Sequence, residues 1–249
     1  SLAFKNIGHP FQPFIVGQRV VGPKTALNYN VKLVFYGENV AEYGNRIEDN
    51  YSPLMDPKLY TCFNFNESNI DSFYLSGLSI KELIDNQNFK FSDLEPYKSP
   101  SLEEIQEASI EVHYMSYYRK WVPQENYYYA VQNTGFAPNE KRKDGTFAKY
   151  AGIDDVIEDL HFYMQLIKFG MGRCTWDAAQ EVRTGKLERE EAVALVNKYD
   201  SEPPLENLEE ILNYLQINED QFWETVNLFR TKNLWTKKDD EFKLKYTVS

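Results

Sequence analysis

The chain has 249 residues, with 27 Lys and Arg against 38 Asp and Glu, a formal net charge of −11. Such acidity repels nucleic-acid phosphates and anionic bilayers, so neither nucleic acid nor membrane is an expected partner. Cys62 and Cys174 are the only two cysteines. They are too few for a disulfide framework or a four-cysteine zinc site, and they fit a reducing, cytoplasmic location.

No apolar run is long enough to form a transmembrane helix, and no signal peptide is read at the start. At roughly 150 residues per domain, one or two domains are expected. The chain opens Ser1-Leu2-Ala3 without an initiator Met. The expectation drawn from this is the downstream part of a larger enzyme.

Phe11 to Val16 is apolar and punctuated by Pro13. Gly17 to Asn28 has the composition of a short helix, which Gly22-Pro23 interrupts or starts. Val31 to Tyr36 is a β-branched and aromatic run that ends at Gly37. It reads as a buried strand of a parallel sheet. Gly37-Glu38-Asn39 would then lie at the carboxyl end of that strand, where open α/β sheets bind ligands.

Residues 45–108 show few regular periods, apart from a short helix near Ser79 to Asp85. Ile110 to Tyr114 reads as a second strand that alternates on toward Tyr118. Residues 113–129 hold seven aromatic residues: Tyr114, Tyr117, Tyr118, Trp121, Tyr127, Tyr128 and Tyr129. They can stack on a sugar or an adenine ring, or fill a core or an oligomer interface.

From Gly152 onward the pattern is helical. Ile153, Val156, Ile157, Leu160, Met164 and Ile167 follow a period near 3.6, and Gly170 stops the run. Further helices are expected over Thr175–Thr184, Glu188–Tyr199 and Leu205–Leu215. A last one begins at Asn218, capped by Gln221 reaching back and by Ile217 packing on Phe222.

Walker, dinucleotide-binding, zincin and nucleophile-elbow motifs are absent. His9, His113 and His161 sit in separate regions, and no metal site is assigned. His161 reads better as a half-buried, hydrogen-bonded residue than as a catalytic one.

Four stretches carry candidate chemistry. In Gly37-Glu38-Asn39, with Glu42 beyond it, a carboxylate and an amide can meet a sugar hydroxyl, a ribose or magnesium. An ordinary βα turn is the equal alternative. Lys141 to Thr146, with Arg142 and Lys143, is a solvated Asp144-Gly145 hairpin or a basic loop over an anion. Gly170 to Thr175 is a tight helix corner or a place where Arg173 grips an anion. Cys174 near that helix start is expected to have a lowered pKa, but no base is identifiable beside it.

Tyr117-Tyr118-Arg119-Lys120-Trp121, Lys149-Tyr150-Ala151-Gly152-Ile153-Asp154-Asp155, Ile167-Lys168-Phe169-Gly170-Met171-Gly172-Arg173 and Glu181-Val182-Arg183-Thr184-Gly185 are considered together with Tyr36-Gly37-Glu38-Asn39. In combination they resemble the N-acetyl sugar amidotransferases. These are PP-loop ATP pyrophosphatases of bacterial surface-glycan biosynthesis (lipopolysaccharide O-antigen, flagellar or pseudaminic-acid-type glycans). The family's Ser-Gly-Gly-Lys-Asp-Ser type of pyrophosphate loop is absent here, as are the cysteine pairs before it.

The resemblance implies an α/β fold: a partial parallel sheet, adenine nucleotide alpha hydrolase-like, followed by a helical C-terminal region. Residues 1–58 would be the remnant of the nucleotide-binding domain. Residues 59–150 would be an irregular aromatic-rich segment with a strand near 110–118, and residues 151–249 the helical region.

The implied activity converts a sugar acetamido group to acetamidino. ATP and Mg2+ adenylate the carbonyl oxygen, and ammonia from a separate glutaminase displaces AMP. Glu38, Asn39 and Glu42 would contact substrate or metal-nucleotide. Arg142, Lys143 and Arg173 would bind phosphate or a sugar carboxylate. The alternative is a non-catalytic oligomerisation or glutaminase-docking module, in which the chain forms a homo-oligomer.

Overall fold

A computed structural model of the chain describes residues 1–37, 48, 51–239 and 241–249. In chain order the elements are α1 (Leu2–Ile7), α2 (Gln12–Tyr29), β1 (Leu33–Tyr36), α3 (Lys58–Thr61), β2 (Tyr74–Leu75), β3 (Leu78–Ser79), α4 (Ile80–Gln87), α5 (Phe91–Leu94), α6 (Leu102–Glu107), β4 (Glu111–Tyr114), α7 (Met115–Tyr118), α8 (Pro123–Asn133), α9 (Ile157–Phe169), α10 (Arg173–Arg183), α11 (Arg189–Tyr199), α12 (Leu208–Leu215), α13 (Glu219–Leu228), β5 (Trp235–Lys238) and β6 (Glu241–Leu244). Helices and strands are mixed, so the fold is α/β in the broad sense. The chain divides into two compact units, Gln12–Trp121 and Ser1–Phe11 with Val122–Ser249.

In the first unit, β1 and β4 pair in parallel, with Leu33 opposite Glu111 and Tyr36 opposite Tyr114. Strand alternation turns Val112 and Tyr114 into a core shared with Ala26, Met55, Tyr60 and Ile105. Val34 and Tyr36 pack against that core. Leu33 and Phe35 point the other way and are 44% and 49% exposed. The expected buried strand is therefore covered on one face only by the described residues.

The strand expected near 110–118 stops at Tyr114. The Arg119 amide donates to the Met115 carbonyl at 3.1 Å, which closes Met115–Tyr118 into one helical turn. Helix α2 runs unbroken for 18 residues through Gly22 and Pro23, where a break was expected. In α4, Ser79 accepts from the Glu82 amide while Glu82 reaches back, a complete capping box.

In the second unit, Leu160, Met164 and Ile167 from successive turns of α9 meet Ile211, Leu215, Phe222 and Val226, and Phe4 joins them from α1. Helix α9 starts at Ile157, later than expected, because the Asp155 carboxylate accepts from the Ile157 amide at 2.7 Å. It ends at Gly170, whose φ of 79° suits a residue without Cβ.

The Asn218–Gln221 box on α13 forms as read. The region read as helical throughout closes instead on an antiparallel hairpin, β5 with β6. Buried Trp235 anchors the hairpin by donating from Nε1 to the Ile167 carbonyl at 2.8 Å. Arg230 lies over the Trp235 and Phe242 rings, at 4.5 and 4.7 Å from their centroids. No helix of the described residues is long and apolar enough to cross a membrane.

Candidate functional site

The second unit contains a cleft lined by the loop around Lys143–Thr146, by α9, by the start of α10, and by the chain leaving α11. Its geometry follows from one helix corner. Gly170 ends α9, and two residues later Gly172 caps α10. A Cβ at Gly172 would lie 2.8 Å from the backbone oxygen of Asp200, so the corner admits only glycine without a shift.

Asp200, at the end of α11, accepts from the Gly172 and Thr175 amides at 2.9 and 2.8 Å and from the Thr175 hydroxyl at 2.8 Å. A carboxylate at the close of one helix thus satisfies the orphan amides of the next. Burial pushes the Asp200 carboxyl up, and these hydrogen bonds oppose the rise.

Of the three cations singled out in the sequence, Lys143 and Arg173 line this cleft, and Arg142 is tied to it through the lining residue Glu202. Arg142 grips Glu202 in a bidentate pair, at 2.6 and 2.9 Å, and lies 4.2 Å over the Tyr199 ring. The hydrogen bond to Glu202 holds the Arg142 guanidinium above its usual range. Glu202 also accepts from the Gly145 amide at 3.0 Å, so the Asp144-Gly145 turn is fastened to this pair.

Lys143 pairs with Asp159 at 3.0 Å and donates to the Gly152 carbonyl. Burial raises the Asp159 carboxyl, while Lys143 and Asn207 work against that. Arg173 meets Glu158 at 3.0 Å and Asp177 at 3.1 Å, and packs on the Phe162 ring at 4.4 Å. Burial disfavours its charge, yet the Asp177 and Glu158 carboxylates outweigh burial and hold the guanidinium above its usual range.

Thr146 is buried and donates to Asp177 at 2.5 Å. Beyond it, buried Glu181 accepts from the Tyr150 hydroxyl at 3.2 Å, and burial raises both groups. Cys174 is fully buried. Burial, with Asp200 and Asp177 adding to it, pushes its thiol up to about 12, which reverses the lowering expected from its place near a helix start.

Arg142, Lys143 and Arg173 therefore come together, each already holding a carboxylate of the same chain. Glu38, Asn39 and Glu42 lie outside the described residues. A triphosphate needs cations and amides that face open space, and here an incoming anion would have to displace a carboxylate. Among the described residues no group of three or more His, Cys, Asp or Glu could hold a metal ion. With Arg142, Lys143 and Arg173 each committed to a carboxylate, the described cleft does not suit a triphosphate.

Sequence reading missed the acidic half of the site: Glu158, Asp159, Asp177, Asp200 and Glu202. Only Arg173 with Asp177, four positions apart on one helix, was open to recognition from spacing. His161 stacks with His9 and Phe11, at 5.0 and 5.1 Å between ring centroids. The aromatic run divides between the units. Tyr114 is core, Tyr127 stacks on Tyr150 at 4.5 Å, and Tyr117, Tyr118, Trp121, Tyr128 and Tyr129 are exposed.

Together these features describe an α/β protein whose helical unit carries a carboxylate-rich, internally ion-paired cleft. Residues 144–248 match a family described as LPS biosynthesis protein WbpG-like, C-terminal domain. That match supports a lipopolysaccharide-biosynthesis relationship for the helical unit. No match to a curated protein was found.

Proposed function

We propose that the chain is the substrate-side part of an N-acetyl sugar amidotransferase of lipopolysaccharide biosynthesis. In this reading it presents a sugar acetamido group for conversion to acetamidino. A separate glutaminase supplies ammonia. ATP and magnesium are held by residues other than those of the described cleft.

One observation carries the reading: the segment that matches a lipopolysaccharide-biosynthesis domain also supplies every cleft-lining residue except Lys143. The chemistry of the lining agrees. Sugar hydroxyls and an amide N–H are donors, and Glu158, Asp159, Asp200 and Glu202 are acceptors around them. The β1–β4 pair adds support. Sheets usually hold about four to six strands, and this parallel pair of the described residues suits a larger one.

Calorimetry with N-acetylated uronic or nonulosonic sugars, and separately with ATP-magnesium, tests this reading. Sugar binding without ATP binding is the expected result. Binding of neither, together with a stable dimer, would favour an oligomerisation or glutaminase-docking module.

A further inference from the structure

The unit formed by Gln12–Trp121 holds a second arrangement of titratable side chains, along one face of β4 and the helical turn that follows it. Glu111 and His113 are two positions apart, so strand alternation sets them on one face. Helix α7 then brings Tyr118 back over them. His113 Nδ1 lies 2.7 Å from the Tyr118 hydroxyl, and Nε2 lies 3.0 Å from Glu111 Oε2.

A carboxylate can only accept. It therefore keeps the proton of a neutral imidazole on Nε2 and leaves Nδ1 to accept from the phenol. The His113 and Tyr118 rings are nearly parallel, at 7°, with centroids 5.9 Å apart. Phe35, across the ladder on β1, packs edge-on against both at 5.8 Å. The imidazole is enclosed, with 12% of its side chain exposed, whereas Glu111 is 64% exposed. Tyr118 is 54% exposed.

The geometry points to a proton relay in which Tyr118 is the acid–base residue that meets a carbohydrate hydroxyl, and His113 and Glu111 position and recharge it. A ligand O–H gives its proton to the Tyr118 oxygen as Tyr118 passes its own to His113 Nδ1. The imidazolium so formed is held by the Glu111 carboxylate, and the reverse transfers restore the start. Only O–H and N–H bonds change, and no co-reactant is needed.

Two features favour a sugar. Tyr118, the member that meets the ligand, lies just past the carboxyl end of β4, the ligand side of α/β sheets. Exposed Tyr117 stands edge-on to Tyr118 at 5.4 Å, which leaves aromatic surface beside the hydroxyl for the C–H face of a pyranose. The choice of a sugar rests on the function proposed above, and the relay does not.

Acetylation of the whole chain by N-acetylimidazole, followed by peptide mass spectrometry, tests both parts. Tyr214, exposed and distant in sequence, is the internal standard. Tyr118 should react about tenfold faster than Tyr214, as expected of a hydroxyl activated by an adjacent base. His113→Gln should bring it down to the Tyr214 rate, and Glu111→Gln, at a carboxylate that is 64% exposed, should slow it too. Tyr214 should react as before in both variants. A merely structural set of hydrogen bonds would leave Tyr118 no faster than Tyr214.

Millimolar N-acetylglucosamine should then protect Tyr118 and not Tyr214. Equal rates in the wild-type chain, or an unchanged Tyr118 rate in both variants, would overturn the relay. Fast acetylation without protection by the sugar would overturn the carbohydrate assignment alone.

Discussion

The Tyr36 hydroxyl bonds the carbonyl of Arg19 at 3.2 Å, and that of Gln18 at 2.8 Å, in the middle of α2. Arg19 is the acceptor that Pro23, which has no N–H, leaves without its helical donor. Gly22 makes the approach possible, since a Cβ there would come within 2.8 Å of the same hydroxyl. A strand residue thus completes a helix that its own sequence would interrupt. Tyr36→Phe should cost about 1 kcal/mol in urea unfolding, the net worth of the hydrogen bonds that one hydroxyl makes to an exposed and a part-buried carbonyl. Unchanged stability would show that water serves α2 equally well.

Arg173 stands between two carboxylates in a largely buried setting. Arg173→Met removes the charge and leaves Glu158 and Asp177 facing each other. The expected loss is about 3–5 kcal/mol, typical of breaking a buried pair from one side. The triple variant Arg173→Met, Glu158→Gln, Asp177→Asn should recover part of it. Chemical denaturation of the two variants checks the difference.

Gly172→Ala places a methyl group against the Asp200 backbone oxygen at 2.8 Å. Backbone cannot rotate away as a side chain can, so a loss of about 1–3 kcal/mol is expected. Gly185→Ala is the control for added bulk. Nothing lies within 4 Å of its Cβ position, and its cost comes from the positive φ of 72° alone. Thermal unfolding of both variants separates crowding from backbone strain.

His161 is pushed down to about 4 by burial, then by His9, Arg173 and Lys168; His9 is lowered by burial and then by Lys168. Both are held neutral in the folded chain, while the unfolded chain takes up protons below about pH 6.5. Their contribution is therefore whole above pH 6.5 and is lost as pH falls toward 4, by up to about 3 kcal/mol for His161. Asp159, Asp200 and Glu181, raised by burial, act in the opposite sense. Comparing wild type with His161→Phe isolates the imidazole. The variant should lose less stability between pH 7 and pH 5, and parallel losses would remove the effect.

Cys62 is exposed, while Cys174 is buried with its thiol pushed up to about 12. Iodoacetamide at pH 8 should label Cys62 alone in the folded chain and both cysteines in urea. Labelling of Cys174 under native conditions would show that α10 opens at its first turn.

Helix periodicity and capping boxes were legible because they are local. α9, α10, α11, α12 and α13 were all foreseen to within a few residues, and the Asn218–Gln221 box as read. Parallel pairing was foreseen for β1 from its apolar run, but the run does not say that one of its faces is left open. Tyr36 satisfying Arg19 could not be read, because the rescue comes from beyond the helix. The same holds at the cleft. Arg142, Lys143 and Arg173 stand out by charge, whereas their partners Glu202 and Asp159 are ordinary acids in an acidic chain until the fold brings them near. Glu111 with His113 was open to reading from two-residue spacing, and Tyr118 was not, since its strand was extended past the turn that returns it.

Parallel pairing of β1 with β4 also bears on the order of assembly. Leu33 meets Glu111 only by closing a long loop, with little to reward the closure on the way. The α10–α11 pair faces no such delay, because its partners are sequence neighbours. Refolding followed by pulsed hydrogen exchange should protect the amides of those two helices first and those of the β1–β4 ladder last. The chain would then spend its early life with a finished helical half and a sheet still waiting for its second strand.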